Sequence, residues 1–336
     1  MRSDTILLAH GSGGTMMREL IEDVFVAKFG DEVLARMDDA ASLEVPPGRI
    51  AMSTDTYVVS PLFFPGGDIG RLAVAGTVND IATAGARALY LSVGFVLEEG
   101  LPVADLRRIL ETMAATAQEA GVRIVTGDTK VVERGHGDGV YINTAGIGVI
   151  PEGVDLSGSY CKPGDKVLLS GTLGDHGIAV VSVREGLSFG TDIVTDAAPL
   201  ADLVAAVLAA APEVRCFRDP TRGGLASTLN ELAGASGVSI TVDEDSVPVH
   251  EQVRGACELL GYDFYQVANE GKMVAVVPPE EAEAALAAMR STRYGADAAI
   301  VGEVTDAPAG RVYVRTSFGS RRIMDMLVGE QLPRIC

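Results

Sequence analysis

The spacing of apolar residues divides the first half of the chain into alternating helices and strands. Apolar positions recur at helical spacing over residues 15–29, whereas residues 50–59 alternate as in a strand. A further helix is predicted from Pro102, which suits a first helical turn, to Gly121, a residue typical of helix ends. The segment 68–86 is rich in Ala, Leu and Ile, and the remaining predicted strands of this half are 88–97, 122–126 and 140–150.

The second half repeats this mixture after residues 151–158, whose Pro, Gly and Ser content marks a boundary. Strands are predicted at 166–170, 238–242, 273–277 and 299–304, and helices at 175–185, 198–211, 222–235 and 280–294. Each half therefore has its own sheet, which we expect to be covered by helices.

Length supports the same division, because 336 residues exceed what one core usually organises. The sequence predicts an α/β (α+β) fold with a first domain over residues 1–150 and a second over residues 151–325. A mobile tail over residues 326–336 would follow and carry Cys336 at its end. Since Trp is absent and hydrophobic residues make up 47% of the chain, the cores must consist mainly of Ala, Val, Leu and Ile.

The net charge of −19 argues against a nucleic acid as partner, because phosphate backbones require a basic protein face. A nucleotide is compatible with this charge, since magnesium ions bridge carboxylates to phosphates. The four cysteines are too far apart for a local redox pair or a zinc ribbon. No apolar run approaches the length of a membrane span, and the first residues lack a signal-peptide pattern, so we expect a soluble, cytoplasmic protein.

Seven short segments combine Asp, Asn or His with Gly and other small residues. One such segment alone usually forms a turn, but seven of them, mostly beside predicted strand ends, favour a ligand site. Glycine lets backbone N–H groups approach phosphate, and carboxylates are ligands that magnesium prefers. A Walker A sequence is absent, so this is not a P-loop site. The segments are residues 10–14, 38–41, 53–55, 78–80, 126–130, 174–177 and 218–224.

The last four residues are Pro333-Arg-Ile-Cys336, which place a thiol at the end of the chain. A thiol on a mobile tail can be loaded with an acyl-type group at one site and carried to another. The last eight residues span at most about 26–29 Å when extended. The sequence therefore predicts two tail positions, one exposed and one folded inward.

These segments resemble the superfamily that includes aminoimidazole ribonucleotide synthetase, selenophosphate synthetase and thiamine monophosphate kinase. The elements similar to its metal–ATP motifs are residues 38–41, 53–55, 79–80 and 219–224. Within the superfamily, His10-Gly-Ser-Gly-Gly, Val267-Ala-Asn-Glu-Gly271 and the Pro-Arg-Ile-Cys end are similar to the HypE family of hydrogenase expression/formation proteins. The resemblance covers essentially the whole chain.

The resemblance implies a two-domain, aminoimidazole ribonucleotide synthetase-like fold that forms a homodimer through the sheets of the first domains. It also implies an activity on the terminal cysteine. A carbamoyltransferase, HypF, would load a carbamoyl group onto the thiol, and ATP would drive its dehydration to a thiocyanate. The cyanide would pass to the HypC–HypD iron-scaffold complex, for the iron of nickel–iron hydrogenase.

The same resemblance implies the site residues. Asp39, Asp80 and Asp219 would bind Mg²⁺, whereas ATP would be contacted by His10, Asp55, Asn79, Asp128 and Thr129. The catalytic residues would be Cys336, Lys130 and Glu270.

The dehydration needs a base, and Glu270, just before a predicted strand, could project into a cleft. Lys130 could hold the amide oxygen or a phosphate as a point charge. The structural alternatives are loop capping for Asp39 and Asp128, an exposed loop-end carboxylate for Glu270 and an ordinary surface lysine for Lys130. His176, in another Gly-rich segment, is a candidate to touch phosphate or the tail.

Two other interpretations stay open. The first is another ATP-dependent phosphotransferase of the superfamily. Selenophosphate synthetase is disfavoured because its reactive Cys and Lys lie near the N-terminal glycine loop, and residues 10–18 contain neither. The second is a non-catalytic maturation scaffold, which would not turn over ATP.

Overall fold

The first half of the chain forms a four-stranded sheet with helices on one face. The computed structural model describes residues 3–187, 193–306, 308–329, 332 and 334–336. The sheet contains β1 (Arg49–Tyr57), β4 (Arg87–Glu98), β5 (Arg123–Val132) and β6 (Val140–Ile150), and a short hairpin of β2 (Phe63–Phe64) and β3 (Gly67–Asp68) follows β1. The strand order is β1-β6-β4-β5, with β4 and β5 parallel and the other pairs antiparallel. The helices are α1 (Thr15–Leu20), a π-helical segment (Ile21–Val26), α2 (Ala27–Phe29), α3 (Ile69–Thr83) and α4 (Val103–Ala120).

The ends of α3 and α4 follow from the local sequence. The Asp68 carboxylate caps α3 by accepting hydrogen bonds from the backbone N–H groups of Gly70 and Arg71 at 2.9 and 3.0 Å. Helix α4 begins after Pro102 and ends at Gly121, whose φ of 67° is left-handed and favours glycine. The predicted start and end of α4 are confirmed.

Within the residues that the structure describes, the other face of this sheet carries no helix, and it is partly apolar. Ala51 and Tyr57 of β1 are buried on the helix side, whereas Ile50 and Met52 are 55% and 73% exposed on the opposite side. Met52 lies opposite Ile147 of β6 in the sheet register. An exposed apolar sheet face of this kind is typical of a surface that contacts another protein.

The second half forms a seven-stranded sheet in the order β13-β12-β9-β11-β7-β10-β8. Its strands are β7 (Lys166–Leu169), β8 (Cys216–Arg218), β9 (Ser239–Asp243), β10 (Val274–Val277), β11 (Ala299–Thr305), β12 (Arg311–Arg315) and β13 (Arg321–Ile323). Its helices are α5 (Asp175–Arg184), α6 (Ala201–Ala210), α7 (Gly224–Ser236), α8 (Glu251–Leu260) and α9 (Ala282–Arg290). Within the described ranges, every helix is too short or too polar to cross a lipid bilayer.

Helix α3 joins the two halves. Arg71 Nε donates a hydrogen bond to the Ala197 carbonyl at 2.6 Å, and Asn79 Nδ2 donates to the Ala198 carbonyl at 3.0 Å. Helix α3 also contacts α6, and one apolar core runs from the first sheet into the second half. The loop before α6 is therefore held directly by the first half of the molecule.

The end of the chain is docked between the halves. The backbone N–H groups of Val58 and Ser60, just after β1, donate to the backbone oxygens of Cys336 and Arg334 at 3.1 and 3.3 Å. The tail thus runs antiparallel beside the residues that follow β1, and the Ile335 side chain is 2% exposed. Residues 330, 331 and 333 of the predicted tail lie outside the described residues. The inward position is the one seen, and movement of the tail stays a prediction.

Two sequence predictions of local structure were incomplete. Strand β5 continues to Val132, so residues 126–130 lie inside a strand and not at its end. Helix α8 and the short strands β2, β3, β8, β12 and β13 were not predicted. In α8 the buried positions Val253, Ala256 and Cys257 keep helical spacing, whereas Gly255 lowers the helix propensity of the segment.

Candidate functional site

A cavity of about 630 Å³ lies where β1, α3, the loop after β8 and the docked tail meet. This volume is in the range typical of ligand sites. Five of the predicted site residues line it together, namely Asp55, Asp80, Asp219, Glu270 and Cys336. Ser53, Arg218 and Arg222, which lie in two of the predicted segments but were given no role there, complete its polar lining.

Two glycines let the elements around the cavity pack closely. A Cβ at Gly76 of α3 would clash with the hydroxyl of Tyr57 on β1. Gly224, at the start of α7, has a φ of 59°, and a Cβ there would clash with the backbone oxygens of Tyr265 and Val267. These contacts hold α3 on β1 and hold the 219–224 loop against the segment that carries Glu270.

The ionisation of Asp80 and Asp219 is opposed by burial and by neighbouring carboxylates. Asp80 accepts a hydrogen bond from Ser53 Oγ at 2.6 Å, yet burial and nearby Asp55 keep its pKa above the usual value. Burial, with the Asp80 charge added, raises the pKa of Asp219 to about 7. The cluster therefore favours protons or a bound cation over full ionisation.

A magnesium ion fits this donor set, because hard cations bind carboxylate oxygens. Among the described residues, no three Asp, Glu, His or Cys side chains already converge closely enough to hold an ion by themselves. Magnesium usually keeps several waters and takes only one or two carboxylates together with substrate phosphates. A loosely arranged aspartate cluster suits that mode of binding.

Glu270 is the most buried acid of the cavity. It is 4% exposed, and its Oε1 atom has no hydrogen-bond partner among the described residues. Its backbone N–H donates to Asp196 Oδ1 at 3.0 Å, which anchors the residue from behind. Burial, followed by the charges of Asp196 and Asp219, raises the pKa of Glu270 well above its usual value. A fixed carboxylate with a free oxygen and a raised pKa is suited to accept a proton.

The Cys336 thiol lies beside Arg222 and Glu270. Burial raises its pKa to about 12, and the Glu270 charge contributes in the same direction. The Arg222 guanidinium hydrogen-bonds the Cys336 side chain and acts against that rise. A thiol with this pKa is protonated at neutral pH and is a weak nucleophile. The docked position therefore suits chemistry on a group already attached to sulfur, and not the loading of that group.

The predicted residues on β5 lie on a different surface of the protomer. Lys130 Nζ lies 2.5 Å from Asp128 Oδ2, and these residues are in register with Gly94 and Val96 on the helix-free face. Strand β5 is three strands from β1 in the sheet, which corresponds to about 14 Å. Within one chain, Asp128 and Lys130 are thus apart from the cavity, and Thr129 is buried on the other face. Their proposed roles stay predictions.

The other three predicted residues also lie outside the cavity lining in the described chain. Asp39 is exposed in the segment before β1. His10 is buried, and its Nδ1 accepts a hydrogen bond from the Leu7 N–H at 2.9 Å. Asn79 is buried, and its Oδ1 accepts from the Leu200 N–H at 2.8 Å. In this conformation the side chains of His10 and Asn79 are hydrogen-bonded to backbone groups. The ligand roles of all three residues stay predictions.

Comparison with known proteins identifies the family. Residues 37–150 match the N-terminal domain of AIR synthase related proteins, and residues 162–315 match the C-terminal domain. Carbamoyl dehydratase HypE of Azotobacter vinelandii is 57% identical over 336 residues, which cover 100% of this chain and 98% of that protein. The chain belongs to the HypE family.

Two solved structures agree with this assignment. The crystal structure of hydrogenase maturation protein HypE in complex with ATP is similar to this chain with a TM-score of 0.96 and 49% identity. That similarity covers 99% of this chain and 100% of the other. A chain of the HypE-HypF complex has a TM-score of 0.81 and 51% identity, covering 92% of this chain and 99% of its own length.

Membership of the HypE family confirms the predicted superfamily and the two-domain fold of mixed sheets covered by helices. It also confirms the prediction of an enzyme of the carbamoyl dehydratase class. The remaining predictions about substrate, metal and partners are treated as proposals below.

Sequence reasoning missed three residues that shape the site. Arg222 stood inside the predicted 218–224 segment, and a search for a cation near the terminal thiol could have found it. Asp196 has no motif around it, and its contact with Glu270 depends on tertiary structure. Lys272, whose Nζ lies 3.4 Å from Asp196 Oδ2, follows Glu270 by two residues and gives no periodic signal.

Proposed function

We propose that this protein uses ATP to dehydrate a carbamoyl group on the Cys336 sulfur, converting a thiocarboxamide into a thiocyanate. The observation that carries the proposal is the docking of the terminal thiol in one cavity with Glu270 and the three aspartates. The name carbamoyl dehydratase, borne by relatives such as that of Azotobacter vinelandii, supports this assignment. The thiocyanate would supply cyanide for the iron of nickel–iron hydrogenase.

The acidic side of the cavity is the proposed site of ATP and magnesium, in keeping with the ATP complex of a similar HypE. Asp55, Asp80 and Asp219 would hold the metal, which lowers the repulsion between them. When bound, ATP would supply a phosphoryl group that makes the amide oxygen a leaving group. Mg²⁺ would neutralise the negative charge of the phosphates. Asp39 would join this site if the exposed segment before β1 folds over it.

Glu270 would act as the base. During dehydration the C–O bond breaks, the oxygen leaves on phosphate, and two N–H protons are lost as the C≡N bond forms. In the described part of the chain the Oε1 atom of Glu270 has no competing hydrogen bond, so it is available to accept a proton from the amide nitrogen. Arg222, which touches the Cys336 side chain, would hold the sulfur and its substituent in place. Burial of the site would protect the phosphorylated intermediate from hydrolysis.

The tail would have to leave the cavity to be loaded. An exposed thiol has an ordinary pKa of about 8.5, so it is far more often ionised than the docked thiol. HypF is the proposed carbamoyl donor, in keeping with the HypE-HypF complex of a similar protein. The HypC–HypD iron-scaffold complex is the proposed cyanide acceptor. Cytoplasmic location also belongs to this proposal.

The proposed assembly is a homodimer through the helix-free face of the first sheet. That face exposes Ile50 and Met52, and it also carries Asp128 and Lys130. A second copy packed there would bury the apolar residues and bring Asp128 and Lys130 of one copy toward the cavity of the other. The dimer thus offers a route by which Lys130 can act on the amide oxygen or on phosphate.

The test is carbamoyl-dependent ATP turnover. Phosphate release should require both the carbamoyl donor system and the terminal thiol, so Cys336→Ala should abolish it. Cys257→Ala, which removes a buried thiol outside the cavity, should leave it largely intact. Turnover that persists in Cys336→Ala would indicate a phosphotransferase acting on another substrate. Absence of turnover in the unmodified sequence with a loaded tail would indicate a scaffold.

A further inference from the structure

The backbone of the docked tail is held from two sides. Val58 and Ser60 bind the backbone oxygens of Cys336 and Arg334, as described above. The carbonyl between them, on Ile335, points the other way and lies 2.8 Å from His176 Nε2. The backbone oxygens of Arg334 and Cys336 thus face the residues after β1, whereas the oxygen between them faces His176.

His176 is held in one tautomer by its two partners. The Ile335 carbonyl can only accept, so Nε2 carries the proton and Nδ1 accepts from the Thr195 hydroxyl at 2.8 Å. Thr195 Oγ1 in turn accepts from the Ala197 N–H at 3.1 Å. Burial lowers the pKa of His176, which keeps the ring neutral. Both ring nitrogens are satisfied while the tail is docked, and its departure leaves a buried donor without that acceptor.

The loop that holds His176 also holds the proposed base. Asp196, next to Thr195, accepts the hydrogen bond from the Glu270 backbone N–H at 3.0 Å. Gly271 packs so closely on this loop that a Cβ there would clash with the Asp196 carbonyl. A short segment, 195–197, therefore connects the tail, through His176, to Glu270.

We infer that His176 is a positioning residue that latches the penultimate carbonyl of the tail and couples docking of the tail to placement of Glu270. His176 binds a backbone carbonyl of the tail and not a side chain. It therefore sets the register of the tail, because a shift by one residue would bring a different peptide group to Nε2. The inference rests on the proposed function in one respect, since it takes the docked tail to be the reactive position.

The test is the rate at which a small alkylating reagent labels Cys336 in the folded protein, followed by mass spectrometry of each cysteine peptide. Cys161, Cys216 and Cys257 are buried and serve as internal reporters of general opening. His176→Phe keeps an aromatic ring but removes both hydrogen bonds, whereas His176→Gln keeps one N–H donor and one acceptor. His250→Phe is the matched control, because His250 contacts Asp175 and not the tail.

We expect His176→Phe to speed Cys336 labelling about tenfold or more, because the Ile335 carbonyl of the docked tail loses its hydrogen-bond donor and the docked position is destabilised. The other three cysteines should label as slowly as before, His176→Gln should restore slow labelling, and His250→Phe should have no effect at Cys336. Dehydration of the carbamoylated tail should slow in His176→Phe and recover in His176→Gln.

Two results would overturn the latch. One is unchanged Cys336 labelling in His176→Phe, and the other is an equal increase at all four cysteines, which would mean general destabilisation. Failure of the unmodified protein to convert a carbamoylated tail would instead refute the proposed function. The labelling result does not depend on that conversion, so the two failures can be told apart.

Discussion

At the residue scale, the cavity is short of positive charge. Asp80, Asp219 and Glu270 all have raised pKa values, and burial is the first cause for each. Arg222 offsets part of this charge beside the thiol. Ionisation of these buried acids therefore lowers the stability of the folded protein, and a bound cation would offset that cost.

The raised pKa of Asp219 predicts that the stability of the folded protein depends on pH. The folded pKa of Asp219, about 7, exceeds its ordinary value of 3.8, so the folded state binds the extra proton between these values. The stabilisation of the folded state by the proton on Asp219 is therefore fully present below pH 3.8 and is lost as the pH rises through about 7. Asp219→Asn should reduce the loss of unfolding free energy between pH 5 and pH 8, measured by urea denaturation, by on the order of 1–3 kcal/mol.

Asp297→Asn, at an exposed aspartate, is the control and should follow the unmodified protein. Identical pH profiles for Asp219→Asn and the unmodified protein would contradict a raised pKa at Asp219. Magnesium with ATP should stabilise the unmodified protein at pH 8 and stabilise Asp219→Asn less, because a ligand that binds only the folded state adds to its stability.

Glu270 carries the second prediction at this scale. Glu270→Gln keeps the size of the side chain but removes the base, so conversion of the carbamoylated tail should slow by about a hundredfold or more. Glu231→Gln, at an acid of the cavity that is paired with Arg218, should change the rate much less. Conversion at the normal rate by a folded Glu270→Gln variant would remove Glu270 from the mechanism.

At the scale of elements, the tail and the first sheet contribute the residues of the proposed function. The tail is hydrogen-bonded to the residues that follow β1, and β1 itself carries Asp55 on one face and Met52 on the other. One strand thus contributes to the cavity and to the proposed dimer surface. Alternation of side chains along a strand makes this double use possible.

The dimer surface gives the third prediction. Met52→Asp places a charge on the exposed apolar face, where burial without a partner is costly. Sedimentation should show a shift from dimer to monomer with the fold intact by circular dichroism. Leu259→Asp, at another exposed apolar residue, is the control and should stay dimeric. A Met52→Asp protein with unchanged sedimentation would contradict dimerisation through this face.

Elements with clear periodicity could be predicted from the sequence, whereas those that depend on their neighbours could not. Strand β6 was predicted with its observed bounds, and α4 was predicted from its capping Pro102 and Gly121. The extension of β5 through Gly127 and Asp128 was missed, because both residues are poor strand formers and pairing with β4 holds them there.

The site shows the same limit. The Asp-Gly motifs and the terminal thiol have local signatures, and the structure brings five of the predicted residues into one cavity. The supports of the site, such as the contact of Asp196 with Glu270, depend on register and chain crossing and leave no local pattern. Which face of the sheet Lys130 occupies likewise follows from its pairing with β4.

At the scale of the whole molecule, the proposed reaction needs two copies of the chain and a tail that moves. The fourth prediction tests whether Lys130 acts across the dimer. Equal amounts of Lys130→Ala and Cys336→Ala proteins, dissociated and reassociated together, form mixed dimers. If Lys130 serves the other copy, one site of each mixed dimer is complete, and about a quarter of normal activity should return for a random mixture.

If Lys130 served its own chain, neither site in the mixed dimer would be complete, and activity would stay absent. A mixture of Lys130→Ala with the double variant Lys130→Ala, Cys336→Ala is the control, because it lacks Lys130 in both copies. Recovery in that control would remove Lys130 from the mechanism altogether.

The central claim is that the terminal thiol carries the reacting group through to a thiocyanate, and the mass of the C-terminal peptide tests it most directly. The protein is incubated with the carbamoyl donor system, then with ATP and magnesium, and the peptide containing Cys336 is analysed at each stage. We predict a carbamoyl adduct before ATP and a cyano adduct after it, with no adduct on Cys161, Cys216 or Cys257. A carbamoyl adduct that persists in the presence of ATP and magnesium, or a phosphorylated product in its place, would contradict the proposed dehydration.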